Sequence, residues 1–239
     1  MTTNRLGHNS CATCPSRHTT EWRDLNKVEL ASLDHAKKTT TIAPGTNIYR
    51  QGDQPEGVFC IQSGLIGLRR LEENGSSALL KTCSGGTTAG YMAFLSKEPY
   101  SNSAEALVPS EVCFIESASV SKLLAENPKL GERFLQHSIA DLKELEENYS
   151  KSLALGVKSR FLHLMMVYYQ QSGFLDSGGN PSVDIPIARI DMAEMLGIQP
   201  ESLSRMIRKV QGEGLMKIKD RRVTITNMDD VLSEAGIFE

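Results

Sequence analysis

Long apolar runs are missing from this chain of 239 residues. No stretch approaches the ~20 residues that a membrane-spanning helix needs. Residues 1–10 are polar and lack the apolar core of a secretion signal. A cytoplasmic protein with no membrane partner is expected. Cysteine is scarce, and an odd count of five argues against a disulfide framework in a reducing compartment. Histidine is missing where metal chemistry on a barrel would need it: His8, His18, His35, His137 and His163 all lie outside residues 41–116. That excludes a barrel enzyme with His-held metal, and a haem held by a histidine of that stretch. Arginine is absent between Arg70 and Arg133, which removes the guanidinium fork suited to a buried phosphate. The net charge of −3 gives no global attraction to nucleic acid.

What is present has three successive textures. An apolar content of 40% and a charged content of 23% suit a soluble globular protein of one large or two modest domains. Residues 40–116 hold short apolar runs broken by Gly, Pro and Asn, such as "TTIAPGTNIYRQGD", "GVFCIQSGLIGLRRL" and "SNSAEALVPSEVCFIE". Turn signals at roughly ten-residue intervals predict an antiparallel barrel or sandwich, with Gly64, Gly75 and Gly85–Gly86 at turns that need positive φ. From Pro128 the period lengthens. Leu135, Ile139, Leu142, Glu146, Tyr149 and Leu153 follow alternating steps of four and three, with Leu145 beside them. This predicts one long helix with a coiled-coil-like seam, and a parallel dimer along it.

After a second helical run, "KSRFLHLMMVYYQQSG", the stretch "RIDMAEMLGIQPESLSRMIRKVQGEGLMKIKDRRVTIT" carries the strongest signal. Ala193, Leu196, Gly197, Ile198, Leu203 and Ile207 have helix-turn-helix spacing. The small residue lets two helices cross closely, and the glycine makes the turn. Pro200 suits the first turn of the second helix. "EGLMKIKDRRVTI" reads as a wing, a hairpin around Asp220 with basic residues at its tip. Between Leu203 and Arg222 lie Arg205, Arg208, Lys209, Lys217, Lys219, Arg221 and Arg222, against only Glu213 and Asp220. Glu201, Ser204 and Arg205 are predicted to face outward, with chemistry that suits base edges in a major groove. An i, i+4 pair between Glu201 and Arg205 is the structural alternative. Arg208, Lys209, Arg221 and Arg222 suit phosphates.

At these residues the chain resembles the CRP/FNR family of bacterial transcription regulators, over essentially its whole length. "RQGDQPEGVFCIQSGLIGLRR" looks like the family's roll motif, and "ESLSR" resembles the Glu-x-x-Ser-Arg recognition helix of the FNR branch. The resemblance implies an α+β chain: an N-terminal double-stranded β-roll of the cyclic-nucleotide-binding type, a long dimerisation helix and a C-terminal winged helix-turn-helix. The implied division is a cysteine-bearing sensor segment at 1–26, the roll at 27–126, the dimer helix at 127–156 and the DNA-binding domain at 157–239. It further implies a homodimer on a palindrome with TTGAT-like half-sites read by Glu201, Ser204 and Arg205. RNA polymerase is the implied protein partner, with "LSKEPY" at 95–100 as one candidate contact. One departure is that Ala188 and Gln199 stand where hydroxyl helix caps are frequent.

No cyclic nucleotide is expected. The family's Gly-Glu is Gly90-Tyr91 here and its Arg-Ser is Asn102-Ser103, so a bound phosphate would lack its arginine. In the FNR branch a 4Fe–4S cluster hangs from N-terminal cysteines plus one in the roll. Cys11, Cys14 and Cys113 match three of those positions. The further N-terminal cysteine is missing, with Thr20, Glu21 and Trp22 in its window. A fourth ligand has to come from elsewhere, with Cys83, His8, His18, Glu21 and Asp24 as candidates. A thiol switch among Cys11, Cys14 and Cys113, sensing of some other ligand, and zinc remain the alternatives. Cys60, within "GVFCIQ", reads as a small buried apolar residue. An interaction module of another class, not using DNA, is the competing function.

Overall fold

The computed structural model describes residues 10–73, 75 and 77–237, in two compact units that divide after Leu142. In the first unit, eight short strands make two four-stranded antiparallel sheets. They are β1 (Lys38–Ile42), β2 (Asn47–Tyr49), β3 (Gly57–Ser63), β4 (Leu65–Leu71), β5 (Ser77–Ser84), β6 (Thr87–Ala89), β7 (Ser103–Ala106) and β8 (Ser110–Glu116). The orders are β1-β8-β3-β6 and β2-β7-β4-β5. Alternation along β3 and β8 divides the apolar residues between two cores. Phe59, Ile61 and Val112 point into the roll, against Tyr49, Ile66 and Ala104. Val58, Cys60 and Ile115 face the other way, towards the helices. In the β3–β8 ladder Cys60 stands directly opposite Cys113.

The β3–β4 turn needs glycine twice over. Gly64 has φ of 95°, and a Cβ there would lie 2.2 Å from Ser110 Oγ. Gly85 departs from expectation, because it is not among the positive-φ glycines. It is required instead by close approach, since its Cβ would lie 2.7 Å from the Gln62 carbonyl oxygen.

Two 3₁₀ turns, Pro15–Thr19 and Glu21–Asp24, carry the N-terminal segment over the outer face of the first sheet. Asn26 then caps α1 (Lys27–Ala36) through a reciprocal box with Glu29. The Asn26 side chain accepts from the Val28 and Glu29 N–H groups, and Glu29 accepts from the Asn26 N–H. Helices α2 (Tyr91–Ser96), α3 (Ser117–Glu126) and α4 (Pro128–Ala154) follow. Trp22, Leu33, Val58, Ile115, Val120, Leu123, Leu130 and Phe134 form the core between sheet, helices and N-terminal segment. Beyond Phe134, α4 leaves its apolar residues in solvent.

The second unit contains α5 (Val157–Ser172), β9 (Phe174–Leu175), β10 (Pro181–Asp184), α6 (Arg189–Met195), α7 (Pro200–Gly212), β11 (Met216–Lys219), β12 (Arg222–Ile225) and α8 (Met228–Glu234). Its sheet order is β11-β12-β10-β9. The chain turns from α6 into α7 at Gly197, with φ of 65°. Ala193, Leu196, Leu203 and Ile207 are buried at the crossing. Ala188 and Gln199 are the N-caps of α6 and α7, and neither side chain makes a capping bond. Among the described residues no helix is long and apolar enough to cross a membrane.

Candidate functional site: a winged recognition helix and a four-thiol cavity

The recognition surface belongs to the second unit. Helix α7 buries Leu203, Met206, Ile207 and Val210, which places Glu201, Arg205, Arg208 and Lys209 on its exposed side and Ser204 at the margin. Ser204 donates its hydroxyl to the Pro200 carbonyl at 3.0 Å. Arg205 does not pair with Glu201 in any ion pair of the described residues. Its guanidinium instead reaches the Ser202 hydroxyl at 3.4 Å, a weak tether that leaves most of its donors to solvent. Arg208 donates to the Ser204 carbonyl at 3.3 Å. Lys209 lies 3.9 Å from Glu213 in an exposed pair that contributes little.

The wing forms where expected. Strands β11 and β12 pair in register around Asp220, which adopts a left-handed φ of 53°. The two arginines at its tip differ. Arg221 is exposed, and its backbone carbonyl accepts from the Ile185 N–H. Arg222 is clasped by both oxygens of Asp184 at 2.8 Å and lies over the Phe174 ring. That exposed pairing raises the Arg222 pKa and keeps the guanidinium charged.

The cysteine site belongs to the first unit. Cys11, Cys14, Cys60 and Cys113 all line one small cavity of about 40 Å³. No disulfide joins them. The segment bearing Cys11 and Cys14 is pinned to the sheet by two hydroxyls: Ser16 donates to the Gln62 carbonyl at 2.8 Å, and Thr19 to the Gly86 carbonyl at 3.1 Å. Two strong donors meet sulfur here. The Trp22 indole N–H reaches Cys60 Sγ at 2.9 Å, and the Gln62 amide reaches Cys113 Sγ at 2.9 Å. The Thr39 hydroxyl lies 3.2 Å from Cys113 Sγ.

Burial sets the thiol chemistry. It pushes Cys11 up to about 11, with Lys37 opposing it, raises Cys113, and raises Cys60 well above the usual range. Without a metal these three groups are protonated at neutral pH. Lys37 also lines the cavity, with its side chain only 4% exposed, and pairs with Asp34 at 2.8 Å. Burial opposes ionisation of Asp34. The bonds from Lys37 and from the Cys11 N–H outweigh it and hold the carboxyl at about 2. Arg17 lines the same space, and its Nε is buried without a hydrogen-bond partner. Two cations therefore face a group of thiols, and a thiolate or sulfide would satisfy the orphaned Arg17 donor.

The candidate fourth ligands stand elsewhere. Cys83 is buried in the roll's interior core with Tyr49 and Ile66. Glu21 is buried and bonded to His137 and to the Thr88 hydroxyl. Asp24 pairs with Arg133, whose Nε lies at 2.6 Å. His18 is exposed, and His8 falls outside the described residues. Cys60 packs against the core between sheet and helices, as the sequence presents it, and also lines the cavity wall. Its place depends on the pairing of β3 with β8, which the local sequence does not reveal.

The N-terminal segment also touches α4. Trp22 meets Phe134 edge-to-face with centroids 5.6 Å apart. Together with the Glu21–His137 and Asp24–Arg133 pairs, it ties the cysteine segment to one face of the helix at three successive points. Further along, Leu135, Ile139, Leu142, Leu145, Tyr149 and Leu153 are 45–72% exposed. Six large apolar side chains thus lie exposed along one helix.

Comparison with known proteins agrees with this architecture. Residues 39–127 match the cyclic nucleotide-binding domain, and residues 159–232 match the Crp-like helix-turn-helix domain. The transcriptional activator protein FnrL of Cereibacter sphaeroides is 23% identical over 233 residues, covering 95% of this chain and 92% of that protein. The fumarate and nitrate reduction regulatory protein of Vibrio cholerae is 25% identical over 217 residues, covering 89% and 85%. A CRP-family transcriptional regulator of Thermus thermophilus superposes with a TM-score of 0.70 at 19% identity, covering 82% of this chain and 96% of that one. These matched families and relatives are regulators rather than enzymes. With a roll and a winged helix-turn-helix matched in order along one chain, and FNR-type regulators aligned over nearly its full length, the chain belongs to the CRP/FNR family of DNA-binding transcription regulators, on its FNR-like branch.

Proposed function

We propose that this regulator acts as a cytoplasmic homodimer that grips a palindrome of TTGAT-like half-sites and responds to oxygen or redox state through an iron–sulfur cluster at its N-terminal end. Glu201, Ser204 and Arg205 read base edges, while Arg208, Lys209 and Arg221 hold phosphates. Arg222, already paired with Asp184, holds the wing in shape and contributes less to DNA affinity. Dimerisation runs along the exposed apolar seam of α4, and RNA polymerase is the partner at residues 95–100. The dimer helix is assigned to residues 127–156, with the sensor segment and roll before it and the DNA-binding domain after it.

The observation that carries the sensing half is the convergence of Cys11, Cys14 and Cys113 on one cavity whose wall continues through Trp22 to α4. A bound cluster would supply the oxygen-sensitive iron and sulfide chemistry. The chain's own residues do the rest. Trp22, Gln62 and Thr39 aim donors at cysteine sulfur, Lys37 and Arg17 offset negative charge, and Glu21, Trp22 and Asp24 transmit any shift of the segment to α4. A switch of this kind needs a differential of only a few kcal/mol between two arrangements. The thiol-switch alternative sits poorly with Cys11 and Cys113, whose burial holds them protonated.

The roll pocket supports a nucleotide-free reading. Tyr91 is buried there, stacked on His137, and donates to Asp141. The pocket's carboxylate, Asp141, is already paired with Lys81 at 2.7 Å, and no arginine is among the lining residues. Two measurements test the whole reading. The purified chain, incubated anaerobically with ferrous iron and sulfide, should develop cluster absorption that Cys14→Ala abolishes. DNA binding should favour the palindrome over a scrambled duplex and weaken steeply with salt. A salt-insensitive, sequence-blind interaction would favour the non-DNA interaction module.

A further inference from the structure

We infer that Cys60, a strand residue of the roll, is the fourth cysteine of the sensor site and replaces the missing N-terminal one. The inference rests on the cluster reading above and deepens it. Thr20, Glu21 and Trp22 occupy the window where the missing cysteine is expected. All three are buried, the Thr20 hydroxyl is bonded to the Arg17 carbonyl at 2.8 Å, Glu21 is bonded to His137 and Thr88, and the Trp22 N–H reaches Cys60. Within the same cavity Cys60 supplies a thiol from the opposite wall, beside Cys113 in the β3–β8 register. Cys83, the remaining cysteine, belongs to the core on the other side of the sheet.

Three further observations point the same way. The Trp22 indole N–H is bonded to Cys60 Sγ at 2.9 Å, a short contact for a neutral thiol acceptor and a natural one for a sulfur carrying negative charge. Among the described residues no three metal-ligating side chains converge on a point where a single ion could sit. A tetrahedral zinc therefore has no ready site, whereas the four thiols share the lining of one cavity. Finally, Lys37 and Arg17 at the wall provide the positive charge that four thiolates require. As each iron–sulfur bond forms, the thiol concerned releases its proton to solvent. Two ligands then come from the N-terminal segment and two from adjacent strands of one rigid sheet. Cluster loss would free the segment that holds Trp22 against Phe134 while leaving the strand pair in place.

The test uses the full chain, reconstituted anaerobically with ferrous iron and sulfide, as wild type and as Cys60→Ser, Cys83→Ser and Trp22→Phe. Bound iron and sulfide, the visible spectrum and the Mössbauer spectrum are read, and circular dichroism of the metal-free proteins checks folding. The expected result is a cluster in the wild type and in Cys83→Ser. Cys60→Ser should lose most of its iron, or keep a cluster with one iron site altered in the Mössbauer spectrum. Trp22→Phe, which keeps an aromatic ring and removes the N–H, should retain the cluster with a shifted spectrum. An unaltered cluster in a folded Cys60→Ser overturns this assignment alone. No cluster in the wild type overturns the cluster reading and this assignment with it.

Discussion

The seam of α4 gives the most direct quantitative check. Leu142 lies in the middle of the exposed stripe and is 55% exposed in the single chain. Complete burial of a leucine side chain is worth ~1.5–3 kcal/mol, so covering the exposed half contributes about 1–1.5 kcal/mol per protomer. Twofold symmetry doubles this to about 2–3 kcal/mol per dimer. Leu142→Ala should therefore raise the dimer Kd by roughly 30- to 150-fold. Leu142→Asp should raise it further, because two carboxylates would face each other across the axis without water. The cost to each protomer's own fold is small, since little of this side chain is buried there. Sedimentation velocity over a dilution series, with fluorescence anisotropy on a palindromic duplex, measures both consequences. The two variants should dissociate and lose DNA binding together while helicity and melting temperature stay close to wild type. An unchanged dimer constant in folded Leu142→Asp would refute the seam.

Two further outcomes follow from the geometry. Arg205→Ala should relax discrimination at a G·C pair by about 1–3 kcal/mol per half-site, measured by anisotropy on paired duplexes at one salt concentration; unchanged preference at that pair would remove its reading role. The second concerns His137, which burial pushes down and the bonds to Glu21 and Asp141 push up more strongly, for a net raised pKa. Its protonated form stabilises the fold, so the contribution is complete below the ordinary histidine pKa and is lost as pH rises through the raised value. Urea midpoints should therefore fall in the wild type as pH rises above the ordinary histidine pKa, and this component should vanish in His137→Gln. A variant with the same pH profile as wild type would contradict the linkage.

What was legible in the sequence was local. The seven-residue rhythm from Leu135 to Leu153 survives as an exposed stripe on α4 because α-helical period is written within a few turns. Gly197 and Pro200 mark the turn and first position of α7, and Asp220 sits at the wing tip, because special φ values admit few residue types. The missing caps at Ala188 and Gln199 were equally plain.

The chain alone thus determined its elements, their order and the recognition helix's outward face. Tertiary structure decided which distant residues meet. Strand register set Cys60 opposite Cys113, and a shift of one residue would have turned it to the other face of the sheet. Arg222 found Asp184 across 38 positions, and Glu21 found His137 across 116. Helical and strand periods are encoded in neighbouring residues, whereas pairings at such separations depend on how whole sheets and helices pack.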